Sequence, residues 1–242
     1  MSRVLKGKVA LVTGASRGIG RAIAVSLAKA GVSVALVSRD TAALEETANQ
    51  CSSSGHPALV LTGDLEDRAS IPGLVSEVVA KLGRLNILIN NAGVLGRGAA
   101  DSGDVDAWDL AIDINLKALM HLTRHALPEI EKEDWGAVIN IASMAGRRPF
   151  GNAGAYVATK HGVVGFTHAM FEDIRERNIK VCAICPGFVA TEMTAEAGMN
   201  AERMIQPEEI ANAVEYVLMS PDSGCPIEIQ IMPQRTPYTQ SA

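Results

Sequence analysis

Short apolar segments alternate with longer amphipathic ones along the whole of this 242-residue sequence. Seven segments are rich in apolar and β-branched residues and are predicted to be strands: Lys8–Thr13, Ser33–Val37, Ala58–Thr62, Leu85–Asn90, Ala137–Ala142, Lys180–Ile184 and Glu228–Met232. Six others have helical periodicity: Gly20–Ala30, Thr41–Ser52, Ile71–Lys81, Trp108–Glu131, Tyr156–Arg177 and Pro207–Leu218. Because the strands are continuous apolar runs, we expect helices on both faces of their sheet. The repeated β-α-β order predicts one α/β domain with a doubly wound parallel sheet of about seven strands.

Composition excludes several classes of partner. The net charge is -5 and aromatic residues make up only 4% of the chain, which argues against nucleic acid. No apolar run is long enough to span a membrane, and the N-terminal residues carry no secretory segment. Cys182 and Cys185 are three apart on a predicted strand, so their thiols should point to opposite faces and stay free. We therefore expect a cytoplasmic protein.

A glycine-rich turn follows the first predicted strand and leads into a helix. Its glycines are spaced G-x-x-x-G-x-G, which permits a tight turn and lets backbone N–H groups approach a pyrophosphate. A glycine-rich loop without any ligand is the alternative, but the strand–turn–helix context favours a dinucleotide. The predicted cofactor contacts here are Gly14, Ser16, Arg17, Gly18, Ile19 and Gly20.

The end of the second strand indicates which dinucleotide fits. A site that prefers NAD usually has an acidic residue there, whereas this sequence has Ser38 and Arg39. The Arg39 guanidinium suits a 2′-phosphate, and Arg17 can reach the same group from the glycine turn. The residues therefore favour NADP(H). The alternative is that Arg39 and Asp40 are solvated charges at the start of the next helix.

Two further turns follow the third and fourth predicted strands. Asp64 and Leu65 are expected near the adenine, and Asn90–Gly93 near the adenosine ribose. Ordinary turn chemistry is the alternative for both, since Asp, Asn and Gly are common turn residues. The predicted contacts of the second turn are Asn91, Ala92 and Gly93.

Ser143, Tyr156 and Lys160 are the candidate catalytic residues. Tyr156 and Lys160 are four apart on a predicted helix and share a face, while Ser143 ends a strand. A nearby ammonium and an oxidised nicotinamide favour the phenolate and bring the pKa of Tyr156 closer to a useful acid–base range. Ser143 can hydrogen-bond a substrate oxygen. A Tyr–Lys pair on an exposed amphipathic helix is the alternative.

The sequence resembles the short-chain dehydrogenase/reductase family over essentially its whole length. The resemblance rests on Thr13–Gly20, Asn90–Gly93, Ser143, Tyr156 with Lys160, and Pro186-Gly187. It implies a Rossmann-type domain, a Ser143–Tyr156–Lys160 centre in which Lys160 also holds the nicotinamide ribose, and a homodimer or homotetramer. It further implies that Asn115 joins a proton relay through Lys160. The residues that it places at the nicotinamide carboxamide are Pro186, Gly187, Val189 and Thr191.

The two ends of the sequence point to different members of that family. The N-terminal half looks like the 3-oxoacyl-carrier-protein reductases, whereas Ile227–Thr236 looks like the tail of NADP-dependent 3-hydroxy acid dehydrogenases and broad carbonyl reductases. Carbonyl reduction with NADP(H) is the leading hypothesis. Fatty-acid synthesis is an alternative, and a catalytically idle NADP-binding regulator is another.

The substrate region is predicted more coarsely. Residues 191–205 occupy the place of a substrate loop, and apolar side chains after the strands are expected to form a pocket. Arg147 and Arg148 could attract a carboxylate or an acidic carrier protein. His121 and His125 have a spacing that metal ligands can have, but no metal site is expected. The expected pocket residues are Leu95, Met144, Phe150 and Phe188.

Overall fold

The computed structural model describes residues 4–52, 55, 58–195 and 198–238. Its centre is one parallel sheet of seven strands in the order β3-β2-β1-β4-β5-β6-β7. The strands are β1 (Val9–Thr13), β2 (Ser33–Ser38), β3 (Leu59–Thr62), β4 (Ile87–Asn90), β5 (Gly136–Ile141), β6 (Ile179–Pro186) and β7 (Glu228–Ile231). The strand order reverses between β1 and β4, which is where doubly wound sheets bind ligands. The predicted fold class is confirmed.

Helices cover both faces of the sheet. They are α1 (Gly18–Lys29), α2 (Thr41–Ser52), α3 (Ile71–Leu82), α4 (Val105–Ile112), α5 (Leu119–Ile130), α6 (Gly154–Ile174), α7 (Glu192–Ala195) and α8 (Pro207–Met219). Short 3-10 turns lie at Met144–Gly146, Arg175–Arg177 and Ala201–Arg203. Among the described helices, none is long and apolar enough to cross a membrane.

The segment predicted as one helix, Trp108–Glu131, is built differently. It begins earlier, at Val105, where the Asp104 carboxylate caps the helix by accepting from the Asp106 N–H. Between α4 and α5 it widens into a π-helix at Asp113–Ala118. Periodicity alone cannot reveal such a widening, because it changes the hydrogen-bond ladder while leaving the apolar stripe nearly unchanged. The structure therefore corrects this prediction.

Two apolar cores lie on opposite faces of the sheet. One joins alternate strand residues to α1 and α8, through side chains such as Ile23 and Val214. The other joins the remaining strand residues to α3 and α5, through side chains such as Val78 and Leu122. Cys182 belongs to the first core, whereas Cys185 faces a smaller cluster beside α6. Both thiols are buried and free, as the strand geometry predicts.

Candidate active site

A cleft of about 550 Å³ opens at the carboxyl end of the sheet. Its walls come from the turns after β1, β2, β3 and β4, from the start of α6, and from the segment that begins at Thr191. The structure thus brings together side chains that are far apart in the sequence. The predicted site residues that line it are Gly14, Ser16, Arg17, Gly18, Ile19, Ser38, Arg39, Asp64, Leu65, Asn91, Ala92, Gly93, Tyr156, Lys160 and Thr191.

The glycine turn gives the cleft an anion-binding floor. Gly14 and Gly18 have positive φ angles of 62° and 53°, a conformation that strongly favours glycine. A Cβ on Gly20 would lie 2.2 Å from the Gly14 carbonyl oxygen, so Gly20 packs the turn against α1. Arg17 precedes α1, and among the described residues no side chain caps this helix. The uncapped N–H groups and the helix dipole fit the pyrophosphate of a dinucleotide.

Polar side chains gather at the end of β2. The Ser38 hydroxyl donates to the Ser16 hydroxyl at 3.0 Å, which joins this strand to the glycine turn. The Arg39 guanidinium lies 3.9 Å from the Asp64 carboxylate, and both side chains are substantially exposed. Arg39 therefore stands in the cleft with a loosely held partner rather than in a buried ion pair. Such a cation suits a phosphate group.

The asparagine that ends β4 and the one that follows it point to different places. Asn91 lines the cleft, and its side-chain amide donates to the carbonyl oxygens of Thr13 and Gly14 at 2.9 and 3.2 Å. Asn90 instead points into the core, where its amide donates to the Thr123 hydroxyl and the Asn140 side chain. The expectation that Asn90 lines the cleft is wrong. Successive side chains of a β-strand alternate between the two faces of the sheet, and this alternation turns the Asn90 side chain into the core.

Thr13 is a site residue that the sequence analysis did not single out. Its hydroxyl oxygen accepts from the N–H groups of Asn91 and Ala92 at 3.0 and 3.1 Å. This pair of bonds fixes the turn after β4 against the end of β1. A hydroxyl at the last position of a strand, beside a glycine turn, was the available signal.

Tyr156 lines the cleft, and Ser143 lies next to it but is not part of the lining. Tyr156 lies in the first turn of α6, and its phenol is hydrogen-bonded to the Ser143 side chain. Ser143 is the residue before the 3-10 turn, and its hydroxyl oxygen accepts from the Ala145 N–H at 3.0 Å. The serine is therefore held by its own turn while it contacts the phenol.

Lys160 lies one helical turn beyond Tyr156 and is buried. Its ammonium donates to the Ile141 carbonyl oxygen at 2.9 Å and lies 5.7 Å from the centre of the Tyr156 ring. Desolvation lowers the pKa of Lys160 to about 8. A lysine on the same helix face as the tyrosine is what the i, i+4 spacing predicts.

Burial affects Tyr156 in the opposite direction from the sequence-based expectation. Desolvation raises the pKa of the phenol, and the hydrogen bond from Ser143 opposes this only in part. The Lys160 ammonium was expected to favour the phenolate, but in this chain it is directed at a backbone carbonyl. The phenol is thus protonated at neutral pH, because the cost of burying its anion exceeds the opposing hydrogen bond.

Asn115 lies behind the cleft wall in the π-helix. Its side chain exchanges two hydrogen bonds with the backbone of Val94, at 2.8 and 2.9 Å, and donates to the Thr159 hydroxyl at 3.2 Å. A Cβ on Gly93 would lie 3.2 Å from the Asn115 side-chain oxygen and 3.7 Å from the Lys160 ammonium nitrogen. The Asn115 side chain and the Lys160 ammonium therefore both adjoin the space that a side chain at position 93 would fill.

The segment after β6 is placed mainly outside the cleft. Pro186 ends the strand, Gly187 donates its N–H to Ile231, and Val189 is buried in the core. Of the residues that the resemblance assigns to the carboxamide contact, Thr191 is the one that reaches the lining. The predicted substrate loop 191–205 contains α7, while residues 196 and 197 lie outside the described residues.

The predicted apolar pocket is only partly formed. Leu95 lines the cleft, whereas Met144 is packed in the core beside α6. Phe150 is 55% exposed, and Phe188 packs edge-on against Tyr238 with ring centres 5.6 Å apart. All four residues follow strands at the edge of the sheet where the cleft opens. Three of them do not line the cleft, because they pack in the core, lie exposed or pack against another ring.

Arg147 is not a free cation. Its guanidinium forms a two-pronged ion pair with the Glu228 carboxylate, and His168 lies 3.1 Å from the same carboxylate. The arginine lowers the pKa of Glu228 and keeps it ionised. The predicted attraction of Arg147 for an acidic partner is therefore wrong. Arg148 is exposed.

His121 and His125 both lie on α5. Within the described ranges, no group of three or more His, Cys, Asp or Glu side chains is arranged to hold a metal ion.

Comparison with known proteins identifies the family. A family model described as short chain dehydrogenase matches residues 8–202. The chain belongs to the short-chain dehydrogenases. An uncharacterized oxidoreductase of Staphylococcus epidermidis is 34% identical over 229 residues, which cover 95% of this chain and 98% of that protein. A glycine betaine reductase of Emericella nidulans is also 34% identical, and its match covers 96% of this chain but only 19% of that much longer protein.

Solved structures of short-chain dehydrogenases have the same fold. A candidate short-chain alcohol dehydrogenase from Sinorhizobium meliloti superposes with a TM-score of 0.85 at 30% identity, covering 95% of this chain and 96% of that one. A metagenomic short-chain oxidoreductase in complex with NADP gives a TM-score of 0.84 at 31% identity, covering 97% and 100%. The fold of this chain therefore matches theirs over nearly its whole length.

Proposed function

We propose that this protein is an NADP(H)-dependent oxidoreductase that moves a hydride between nicotinamide and a carbonyl or alcohol. The observation that carries the proposal is the Tyr156 phenol, hydrogen-bonded to Ser143 and beside the buried Lys160, in the same cleft as the glycine turn. A solved relative in complex with NADP supports the choice of cofactor. When bound, the nicotinamide supplies or accepts the hydride.

The residues of this chain supply the proton and hold the substrate oxygen. In the direction of reduction, the protonated Tyr156 phenol donates its proton to that oxygen. The Ser143 hydroxyl, already within hydrogen-bond reach of the phenol, stabilises the charge that develops there. Lys160 keeps a positive charge near the phenol at neutral pH. Asn115 holds Val94 and Thr159 in place through its side-chain hydrogen bonds.

A screen of substrates tests the proposal directly. NADPH oxidation would be followed with 3-oxoacyl thioesters, 3-oxo acids, diketones and aldehydes. We expect turnover with at least one class, and a fall of at least about a hundredfold in kcat for Tyr156→Phe, since general acid catalysis contributes about that much. NADPH should still bind to this variant. Undiminished turnover by Tyr156→Phe would rule out the mechanism.

Cofactor preference is proposed to depend on Arg39. Replacing Arg39 with Asp removes a cation that suits a 2′-phosphate and adds an acceptor for a ribose hydroxyl. We predict that Arg39→Asp lowers kcat/KM for NADPH at least about tenfold, because a charge-assisted contact is worth about 1.5–3 kcal/mol, and improves NADH. Steady-state kinetics with both cofactors measure this. An unchanged preference would contradict the role of Arg39.

Reduction of a 3-oxoacyl chain on a carrier protein is an alternative to reduction of a small carbonyl compound, and the substrate screen distinguishes the two. One cation that could attract an acidic carrier, Arg147, is neutralised by Glu228, whereas Arg148 is exposed. A cofactor-binding regulator without turnover is the remaining alternative, and the absence of turnover across the screen, with NADPH bound, would favour it. Cytoplasmic location and a homodimeric or homotetrameric state stay predictions, the second of which light scattering would measure.

A further inference from the structure

An ion pair spans the mouth of the cleft. The Arg17 guanidinium in the glycine turn lies 2.5 Å from the carboxylate of Glu192, the first residue of α7. Both residues line the cleft, and both side chains are about two thirds exposed, at 67% and 66%. The pair therefore links the floor of the cofactor cleft to the beginning of the substrate loop.

The two segments that carry this pair are in close contact. A Cβ on Gly18 would lie 3.2 Å from the Thr191 side chain, so the residue before Glu192 packs directly on the glycine turn. Thr194 holds the start of α7 in shape, because its hydroxyl bonds to the carbonyl oxygens of Val189 and Thr191 at 2.6 and 2.9 Å. Glu192 is thus presented to Arg17 by a folded turn rather than by a loose chain.

The glycine turn that carries Arg17 is bonded to the end of β2, and Arg17 and Arg39 line the same cleft. Ser16, the neighbour of Arg17 in the chain, is 3.0 Å from Ser38, the neighbour of Arg39. Arg17 therefore stands where the side of the cleft that suits a 2′-phosphate meets the substrate loop. One guanidinium has two possible acceptors here, namely a carboxylate of this chain and a phosphate of the cofactor.

We propose that Glu192 is a specificity-determining residue, which competes with the 2′-phosphate of NADP(H) for Arg17. Binding of NADP(H) transfers Arg17 from the carboxylate to the phosphate and frees the first turn of α7, whereas NAD(H) leaves the Arg17–Glu192 pair intact. The transfer is favourable because a phosphate carries more charge and more acceptor oxygens than a carboxylate. Breaking an exposed ion pair also costs little free energy. The inference rests on the proposed function.

The first experiment measures cofactor affinity by nicotinamide fluorescence and calorimetry, without turnover. For Glu192→Gln we expect the Kd of NADPH to fall about two- to fivefold, the size expected for losing an exposed ionic competitor. The Kd of NADH should stay within about twofold. Glu202→Gln is the matched control, since it makes the same charge change at an exposed position of the same loop. It should leave both affinities unchanged.

A double-mutant cycle identifies Arg17 as the contested group. In an Arg17→Ala background, Glu192→Gln should no longer tighten NADPH, because there is no shared arginine left to release. The pair 2′,5′-ADP and 5′-AMP isolates the phosphate: only the first should bind more tightly to Glu192→Gln. Equal tightening for both nucleotides, or an effect that survives in Arg17→Ala, would overturn the proposal.

The wild-type protein separates the two possible failures. If it binds neither NADPH nor NADH, the proposed function fails and the competition fails with it. If it binds NADPH normally and Glu192→Gln binds it equally well, only the role of Glu192 is refuted.

Discussion

At the scale of single residues, burial decides the protonation states in the site. Tyr156 and Lys160 are both buried, and desolvation raises the pKa of the first and lowers that of the second. At neutral pH the tyrosine is a proton donor and the lysine is still charged. Carbonyl reduction needs this combination, so the reductive rate should decline as the pH rises past the pKa of Lys160, near 8.

The lowered pKa of Lys160 predicts how the free energy of unfolding depends on pH. Between its folded pKa of about 8 and the unfolded value of 10.5, the unfolded chain binds more protons, so stability rises with pH. Below about pH 8 Lys160 is charged in the folded and the unfolded chain, so the folded chain carries the full desolvation cost of the buried ammonium. Relative to Lys160→Met, which does not titrate, the wild type should gain up to about 3 kcal/mol in unfolding free energy from pH 7.5 to 10.5.

Urea unfolding of both proteins across that pH range measures the gain. The comparison cancels the titration of the other groups, which the two proteins share. A difference between them that stays constant with pH would show that Lys160 titrates alike in the folded and unfolded chains.

At the scale of elements, two irregular turns bring the site together. The π-helix at Asp113–Ala118 carries Asn115 to the backbone of Val94, and the 3-10 turn at Met144–Gly146 follows Ser143. Gly146 lets that turn lie against α6, because a Cβ there would be 2.5 Å from the Lys160 carbonyl oxygen. We predict that Gly146 positions the serine, although the sequence analysis did not single it out.

Gly146→Ala should therefore damage catalysis more than it damages the fold. The added methyl meets backbone rather than a flexible side chain, so the turn must move away from α6 and take Ser143 with it. We predict a fall in kcat of at least about tenfold with a stability loss of about 1–3 kcal/mol. Gly151→Ala is the control, since a Cβ there meets nothing within 4 Å. Equal kinetics for both variants would contradict the role of Gly146.

At the scale of the whole molecule, the C-terminal tail returns to the substrate loop. Tyr238 packs edge-on against Phe188, and the Pro237 carbonyl oxygen accepts from the Asn200 N–H at 2.9 Å. Pro233 lies close to Gly187, where a Cβ would be 3.0 Å from its ring. The C-terminal tail thus packs against the segment after β6.

Tyr238→Ala should loosen the substrate loop without disturbing the cofactor. Loss of one aromatic contact removes about 0.5–1.5 kcal/mol of local support. We predict faster cleavage by trypsin after Arg203 and a higher KM for substrate, with the Kd of NADPH unchanged. Tyr216→Ala, which removes an exposed tyrosine from α8, is the control. A rise in the Kd of NADPH instead would mean that the tail supports the cofactor cleft.

Much of the site could be predicted because it depends on local rules. Gly14 and Gly18 need positive φ angles, Tyr156 and Lys160 share a helix face, and turns after parallel strands meet at one edge of the sheet. These rules require only the order and spacing of residues. They were sufficient for the seven-stranded fold, whereas the family came from the resemblance of the motifs.

The tertiary structure alone decided which groups pair and which are buried. Asn90 lies in the core, Arg147 forms an ion pair with Glu228, and Arg17 forms one with Glu192. In the sequence each of them looked available to a ligand. Pairing depends on which distant segments the sheet brings within a few ångströms, and desolvation depends on how completely they cover a side chain. The sequence by itself determined the alternation of strands and helices and the edge where the cleft opens. The charges that face a ligand there follow from packing between segments far apart in the chain.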